Sequence, residues 1–195
     1  GHILYYELGA SAIFAGVTIR AVKSGDGSGM LTWAEIAPVL STDSIYDHTQ
    51  TGLLCLENTH NLAGGRVMSA DACAELTAQA HQAGLPVHMD GARIFNALIA
   101  QNGTPKAWGA PFDSISICLS KGLGAPVGSV LIGPRSFITE ARRVRKRLGG
   151  GMRQAGLLAA AGIYALEHNV ERLARDHENA RLLAQALAQI EAIKV

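Results

Sequence analysis

The chain is expected to form an α/β fold, a mostly parallel sheet flanked by helices. Two observations carry that expectation. Short apolar runs alternate with helix-patterned stretches along the chain, and the runs "TGLLCLEN", "LPVHMD" and "DSISICLS" are oily enough to be buried on both faces, as parallel strands are. Taken in order, "HILYYELGASAIFAG" reads as a helix closed by Gly16 and "VTIRAV" as a short strand. Thr32 with Glu35 three residues on forms a capping box ahead of "AEIAPVL". "TGLLCLEN" is an apolar strand that ends in polar residues. Ser69 to Ala83 reads as a helix with Gly84 as its stop, and "LPVHMD" as a strand that Pro86 can enter only near its start. "DSISICLS" and "GSVLIG" are strands on either side of a lysine loop. The remainder is helical, with Gly149, Gly150 and Gly151 separating one helix from the next.

Composition narrows the function classes. The 195 residues are 48% hydrophobic and 17% charged, with a formal net charge of +1, which suits a soluble globular protein with a sizeable core. Near-neutral charge argues against a nucleic-acid partner, and the basic run "ARRVRKRLGGGMR" reads as a solvated helix face rather than a polyanion patch. No apolar stretch approaches the roughly 18 residues of a membrane span, and no signal peptide is visible. Cys55, Cys73 and Cys118 are odd in number, widely spaced and set among apolar residues; they are expected to be reduced, buried thiols, which points to the cytoplasm. The chain opens within one helical pattern and closes within another, and is expected to be a piece of something longer.

In open α/β sheets, ligands sit beyond the carboxyl ends of the strands. Three segments place polar groups there: "LENTHNLAGG", "MDGARIF" and "SKGLGAP". Lys121 lies between an oily run and a cluster of glycines. It is either a solvated loop lysine or an amine held for attack on a carbonyl. Asp90 leaves the apolar strand Val87 to Met89, and either pairs with Arg93 on the following turn or is held against a protonated ring nitrogen. An amine and an acid at successive strand ends are what pyridoxal phosphate chemistry requires: one binds the aldehyde, the other keeps the pyridine ring an electron sink. His2 is a third candidate. No metal site is expected.

The segments "LENTHNLAGGRV", "VHMDGARIFNA", "CLSKGLGAPVGSVLIG" and "LGGGMRQAGLLAAAGIYALEHNVERLARDHENA" resemble the low-specificity L-threonine aldolases, enzymes of the aspartate-aminotransferase-like fold, over nearly the whole chain. The resemblance implies that residues 1–195 are part of the large pyridoxal-phosphate-binding domain, with an N-terminal phosphate-binding segment and a small C-terminal domain lying outside them. It implies that Lys121 forms the Schiff base with the cofactor, that Asp90 pairs with the pyridine nitrogen, and that the His2 imidazole stacks on the ring. Arg93 would lie near the ring hydroxyl and the substrate carboxylate. Lys146 and Arg153 would be basic residues near the cofactor, contributed across the interface of a homodimer or homotetramer. The family often carries a second active-site histidine in a context like His-Phe-x-x-Thr. Here "IYDHTQTGLL" puts Asp47 in that place and His48, a candidate for substrate binding, one residue away.

The implied reaction is retro-aldol cleavage of L-threonine, L-allo-threonine and similar β-hydroxy-α-amino acids to glycine and acetaldehyde, with a histidine or a bound water as base. Another pyridoxal-phosphate enzyme of the same fold, a β-eliminating lyase or an aminotransferase, would share Asp90 and Lys121. A truncated, non-catalytic module is the remaining alternative.

Overall fold

The computed structural model describes residues 1–42, 46 and 48–195. Four strands form one sheet in the order β1 (Leu54–Glu57), β2 (Val87–Asp90), β3 (Ser114–Cys118), β4 (Ser129–Ile132). The first three are parallel and β4 runs antiparallel to β3, so the expected mostly parallel α/β sheet is present. The register aligns Glu57 with Asp90 and Asp90 with Ser116, which brings the carboxyl ends of the parallel strands to one side of the molecule.

The helices are α1 (His2–Tyr5), α2 (Ala10–Ala15), α3 (Trp33–Ile36), α4 (Ala70–Gln82), α5 (Ile94–Ala100), α6 (Pro105–Gly109), α7 (Arg135–Arg147), α8 (Gly156–His168) and α9 (Leu173–Leu187). Local signals account for several of their ends. The Ser69 hydroxyl accepts from the Ala72 N–H at the start of α4, and Gly84, at φ 75°, follows its last turn. The capping box at α3 is reciprocal: Thr32 accepts from the third helical residue, and the Glu35 carboxylate reaches back to the Thr32 N–H at 2.7 Å. Pro105 occupies the first turn of α6, where a missing N–H costs nothing.

The main core lies between the sheet and the helices around it. Val87 and Met89 of β2 are wholly buried and share a cluster with Leu76 and Ala80 of α4, Ala97 of α5 and Trp108 of α6. A second, smaller cluster joins Leu119, Leu123 and Ala125, which flank Lys121, to Ala165 of α8 and Leu173 of α9.

Four expectations are corrected. "VTIRAV" is not a strand: residues 17–22 have no ladder partner among the described residues, and an alternating segment without one has nowhere to place its backbone hydrogen bonds. The N-terminal helix is broken in two, with Leu8 (φ 49°) and Gly9 (φ 75°) in the left-handed region between α1 and α2. "GSVLIG" does form a strand, but β4 is exposed along its length, with Val130, Leu131 and Ile132 at 38–44% exposure. Of the three thiols, all free, only Cys73 is fully buried.

Candidate active site

Both β1 and β2 alternate a buried residue with a half-buried one, which puts Cys55 and Glu57 on one face of β1, and His88 and Asp90 on the same face of β2. Parallel register makes Glu57 and Asp90 neighbours at the strand ends. Two carboxylates side by side need donors, and each finds its own.

Glu57 takes its donors from two directions. Its Oε2 accepts the His2 backbone N–H at 2.6 Å, and its Oε1 accepts the Asn61 N–H at 3.1 Å and meets His2 Nδ1 at 2.8 Å. Burial pushes the Glu57 carboxyl up, but the hydrogen bonds from His2 and Asn61 outweigh it and hold its pKa below the usual value. One donor atom from each of His2, Glu57 and Asp90 lies within 4.8 Å of the others. The His2 ring also sits 5.0 Å from that of Tyr6, tilted by 36°.

Asp90 Oδ1 accepts the Ala92 N–H at 3.1 Å, and Oδ2 accepts nothing from a described residue. The tight exit from β2 depends on Gly91, whose N–H donates to Ser116 O at 2.9 Å. A Cβ there would come within 3.0 Å of that carbonyl and of Ile115. The charge of Asp90 reaches its neighbours. Burial, with Asp90 adding to it, pushes the Cys55 thiol up; burial lowers the His88 imidazole, against the pull of Asp90.

Asp90 and Arg93 form no ion pair, so the structural pairing considered for them is not what is found among the described residues. Arg93 stands at the N-cap position of α5, where its side chain makes no capping hydrogen bond, and it lines a cavity of about 520 Å³ together with Thr59, Asn61, Asn96 and His177. Asn96 and His177 are themselves hydrogen-bonded at 3.1 Å across α5 and α9.

Lys121 is exposed, on a loop that is itself well anchored. Leu119 N–H donates to Gly128 O and Ala125 N–H to Leu119 O; Asn169 and Arg172 donate to the carbonyls of Leu123 and Gly122 at 2.8 and 2.9 Å. The ammonium acts on Cys118: burial raises that thiol, but the hydrogen bonds from Ser120 and the charge of Lys121 turn the balance, and its pKa is lowered.

Lys146, in the last turn of α7, and Arg153 are exposed, and their side chains make no hydrogen bond or ion pair with a described residue. Arg153 lies ahead of α8, which starts at Gly156. His48 is exposed before β1, and Asp47 lies outside the described residues. The structure thus brings His2 to Asp90 and gathers the Lys121 loop at the same side of the sheet. It also adds Glu57, which sequence reasoning passed over because its partner is 55 residues away.

A mostly parallel sheet with helices around it, carrying an acid and a lysine loop at its carboxyl ends, has a fold shared with known proteins. The whole chain, residues 1–195, matches the family described as Beta-eliminating lyase, and the chain belongs to that family. Among individual proteins, it is similar to low-specificity L-threonine aldolase 1 of Arabidopsis thaliana, 43% identical over 194 residues that cover 100% of this chain and 54% of that one. It is likewise similar to the low specificity L-threonine aldolase of Escherichia coli strain K12, 43% identical over 188 residues, covering 96% of this chain and 55% of the relative. Among solved structures, the threonine aldolase of Leishmania major superposes with a TM-score of 0.83 at 23% identity, over 97% of this chain and 55% of that one; this likeness is one of fold. The chain spans about half the length of the curated relatives it matches.

Proposed function

We propose that residues 1–195 are part of the large cofactor-binding domain of a pyridoxal-phosphate-dependent aldolase that cleaves L-threonine, L-allo-threonine and related β-hydroxy-α-amino acids to glycine and an aldehyde. The observation that carries this reading is the meeting of Asp90 and His2 at the carboxyl end of β2, beside the strand that leads into the Lys121 loop. The similarity to L-threonine aldolases supports the substrate class.

The residues present fit the cofactor. Asp90 has an oxygen with no partner among the described residues, ready for the N–H of a protonated ring nitrogen. Lys121 offers an exposed amine for the aldehyde. When bound, the cofactor supplies an electron sink for the pair released as Cα–Cβ breaks. Asp90 keeps the ring nitrogen protonated, so its charge acts on the transition state as well as on binding. His2, or a water beside it, takes the proton of the β-hydroxyl. Arg93, which lines a cavity with Thr59, Asn61, Asn96 and His177, holds the substrate carboxylate, with His48 a second binding group. Lys146 and Arg153 serve the phosphate of a neighbouring subunit's cofactor in a homodimer or homotetramer. Their exposure on a basic segment that also exposes Val144, Leu148 and Met152 supports this. Three free thiols support a cytoplasmic setting.

To test the reading, full-length protein is incubated with pyridoxal phosphate, reduced with borohydride and digested. The pyridoxyl mass is expected on the peptide holding Lys121, to be lost in Lys121→Ala, and L-threonine is expected to yield acetaldehyde and glycine. A label on another lysine overturns the site. Ammonia and a keto acid overturn the reaction in favour of a β-eliminating lyase; a keto acid formed without ammonia, and only when a second keto acid is added to accept the amino group, overturns it in favour of an aminotransferase.

A further inference from the structure

We infer that Glu57 is a positioning residue for the proposed aldol cleavage, which it serves by fixing the place and the tautomer of His2; the inference rests on the function proposed above. Two carboxylates stand next to each other at the ends of β1 and β2, and their hydrogen bonds divide the work between them. Both Glu57 oxygens are engaged, with the His2 N–H on one and the Asn61 N–H and His2 Nδ1 on the other. Asp90 spends one oxygen on Ala92. Asp90 is therefore the carboxylate left to meet a ligand, and Glu57 is the one that holds the protein to itself.

The tautomer follows from chemistry. The Glu57 carboxylate is ionised at neutral pH, its pKa being lowered, and an ionised carboxylate only accepts hydrogen bonds. At 2.8 Å, His2 Nδ1 must then carry the proton, which leaves Nε2 as the ring nitrogen for reaction or ligand contact. The side chains are 9% exposed for Glu57 and 22% for His2, so water competes little for this pair.

A second observation agrees. A Cβ on Gly1 would lie 2.5 Å from Glu57 Oε2. Any larger residue at that position would push the carboxylate away from where it accepts the His2 N–H. The carboxylate thus grips both the main chain and the ring of His2, which sits in a four-residue helix with no buried residue of its own to hold it in place.

The test uses full-length protein labelled with 15N-histidine, loaded and unloaded with pyridoxal phosphate. A slowly exchanging, downfield Nδ1 proton is expected in the parent and lost in both His2→Phe and Glu57→Gln. With L-threonine, Glu57→Gln is expected to lower kcat on the order of a hundred-fold with KM little changed, the scale of a misplaced catalytic group. It should add nothing further to His2→Phe, and Glu57→Asp should recover part of the loss. Gly1→Ala, which pushes on the same contact, should weaken the resonance and kcat together, and it carries the test if Glu57→Gln does not fold. A resonance that survives Glu57→Gln, an unchanged kcat, or a double variant that falls by the product of the single losses overturns the inference. Borohydride labelling of Lys121 in every variant keeps this result separate from the function itself: unlabelled parent protein refutes the pyridoxal phosphate reading, whereas labelled variants with intact kcat refute only the role of Glu57.

Discussion

Replacing Leu173 with alanine tests whether the small cluster behind the Lys121 loop holds that loop in place. Leu173 is 1% exposed at the start of α9 and packs with Leu119, Leu123, Ala125 and Ala165. Buried Leu→Ala changes cost about 2–5 kcal/mol, the transfer term plus a cavity term that depends on how far the surroundings relax. Here two of the four buried partners are already alanines and the cluster is small, joined to the main core through the partly buried Phe95 and Ile99, so partial collapse is easy and a loss of about 2–3 kcal/mol is expected. A methyl on Gly122 would sit 2.8 Å from Leu173 Cδ2, so Gly122→Ala alone should cost about 1–3 kcal/mol by overpacking. In the Leu173→Ala background, that methyl enters the space just made. The double variant should therefore lose less than the sum of the two by about 1 kcal/mol, the coupling expected of residues in contact. Urea unfolding of cofactor-free, full-length protein at one fixed concentration measures all four corners of the cycle. Additivity to within about 0.5 kcal/mol would refute the packing account. Borohydride labelling of Lys121 should also slow in Leu173→Ala, since the loop loses its seat.

The other predictions concern buried polar groups, thiols and pH. Asn58 is wholly buried and bonds both the N–H and the C=O of Met68, so Asn58→Leu should cost about 2–4 kcal/mol, read by denaturant unfolding, because two backbone groups are left without partners at roughly 1–3 kcal/mol each. Iodoacetamide at mildly alkaline pH should label Cys118 before Cys55, and Cys73 last, since burial pushes the Cys73 thiol up to about 11 while the surroundings of Cys118 lower it; peptide mass mapping gives the order. Asp113 is held below its usual pKa by the hydrogen bond from His81 and by the Val87 N–H. The stability it contributes is present above the unfolded carboxylate pKa and is lost as pH falls through the depressed folded value. Asp113→Asn should flatten the acid limb of a stability–pH curve in that range, by less than about 1 kcal/mol because both side chains are nearly half exposed.

Much of the scaffold was legible in the sequence, for reasons that can be named residue by residue. The ends of α4 depend on Ser69 and Gly84, and the start of α3 on Thr32 and Glu35, groups within a few positions of the backbone atoms they satisfy. The apolar runs that became β1, β2 and β3 announced burial on their own, and from them the side of the sheet that carries Asp90 and Lys121 could be placed. The flanks of the Lys121 loop were legible too, but not the anchoring of that loop by Leu173, Asn169 and Arg172, which come from fifty or so residues downstream.

Only the tertiary structure decided the rest. Residues 17–22 alternate as a strand should, yet no strand among the described residues receives their hydrogen bonds, and a strand exists only as a member of a pair. The direction of β4, its exposure, and the separation of Asp90 from Arg93 were equally beyond local reading. Glu57 is the sharpest case. Its sequence neighbours mark it as the polar end of a strand, while the role proposed for it comes from a histidine near the start of the chain and an aspartate one strand over. Local signals determine the caps and the oily runs because the interacting atoms are bound to stay close in any conformation of the chain. Pairings between distant residues exist only once chain entropy has been overcome by the burial of the whole core, so the fold as a unit decides them.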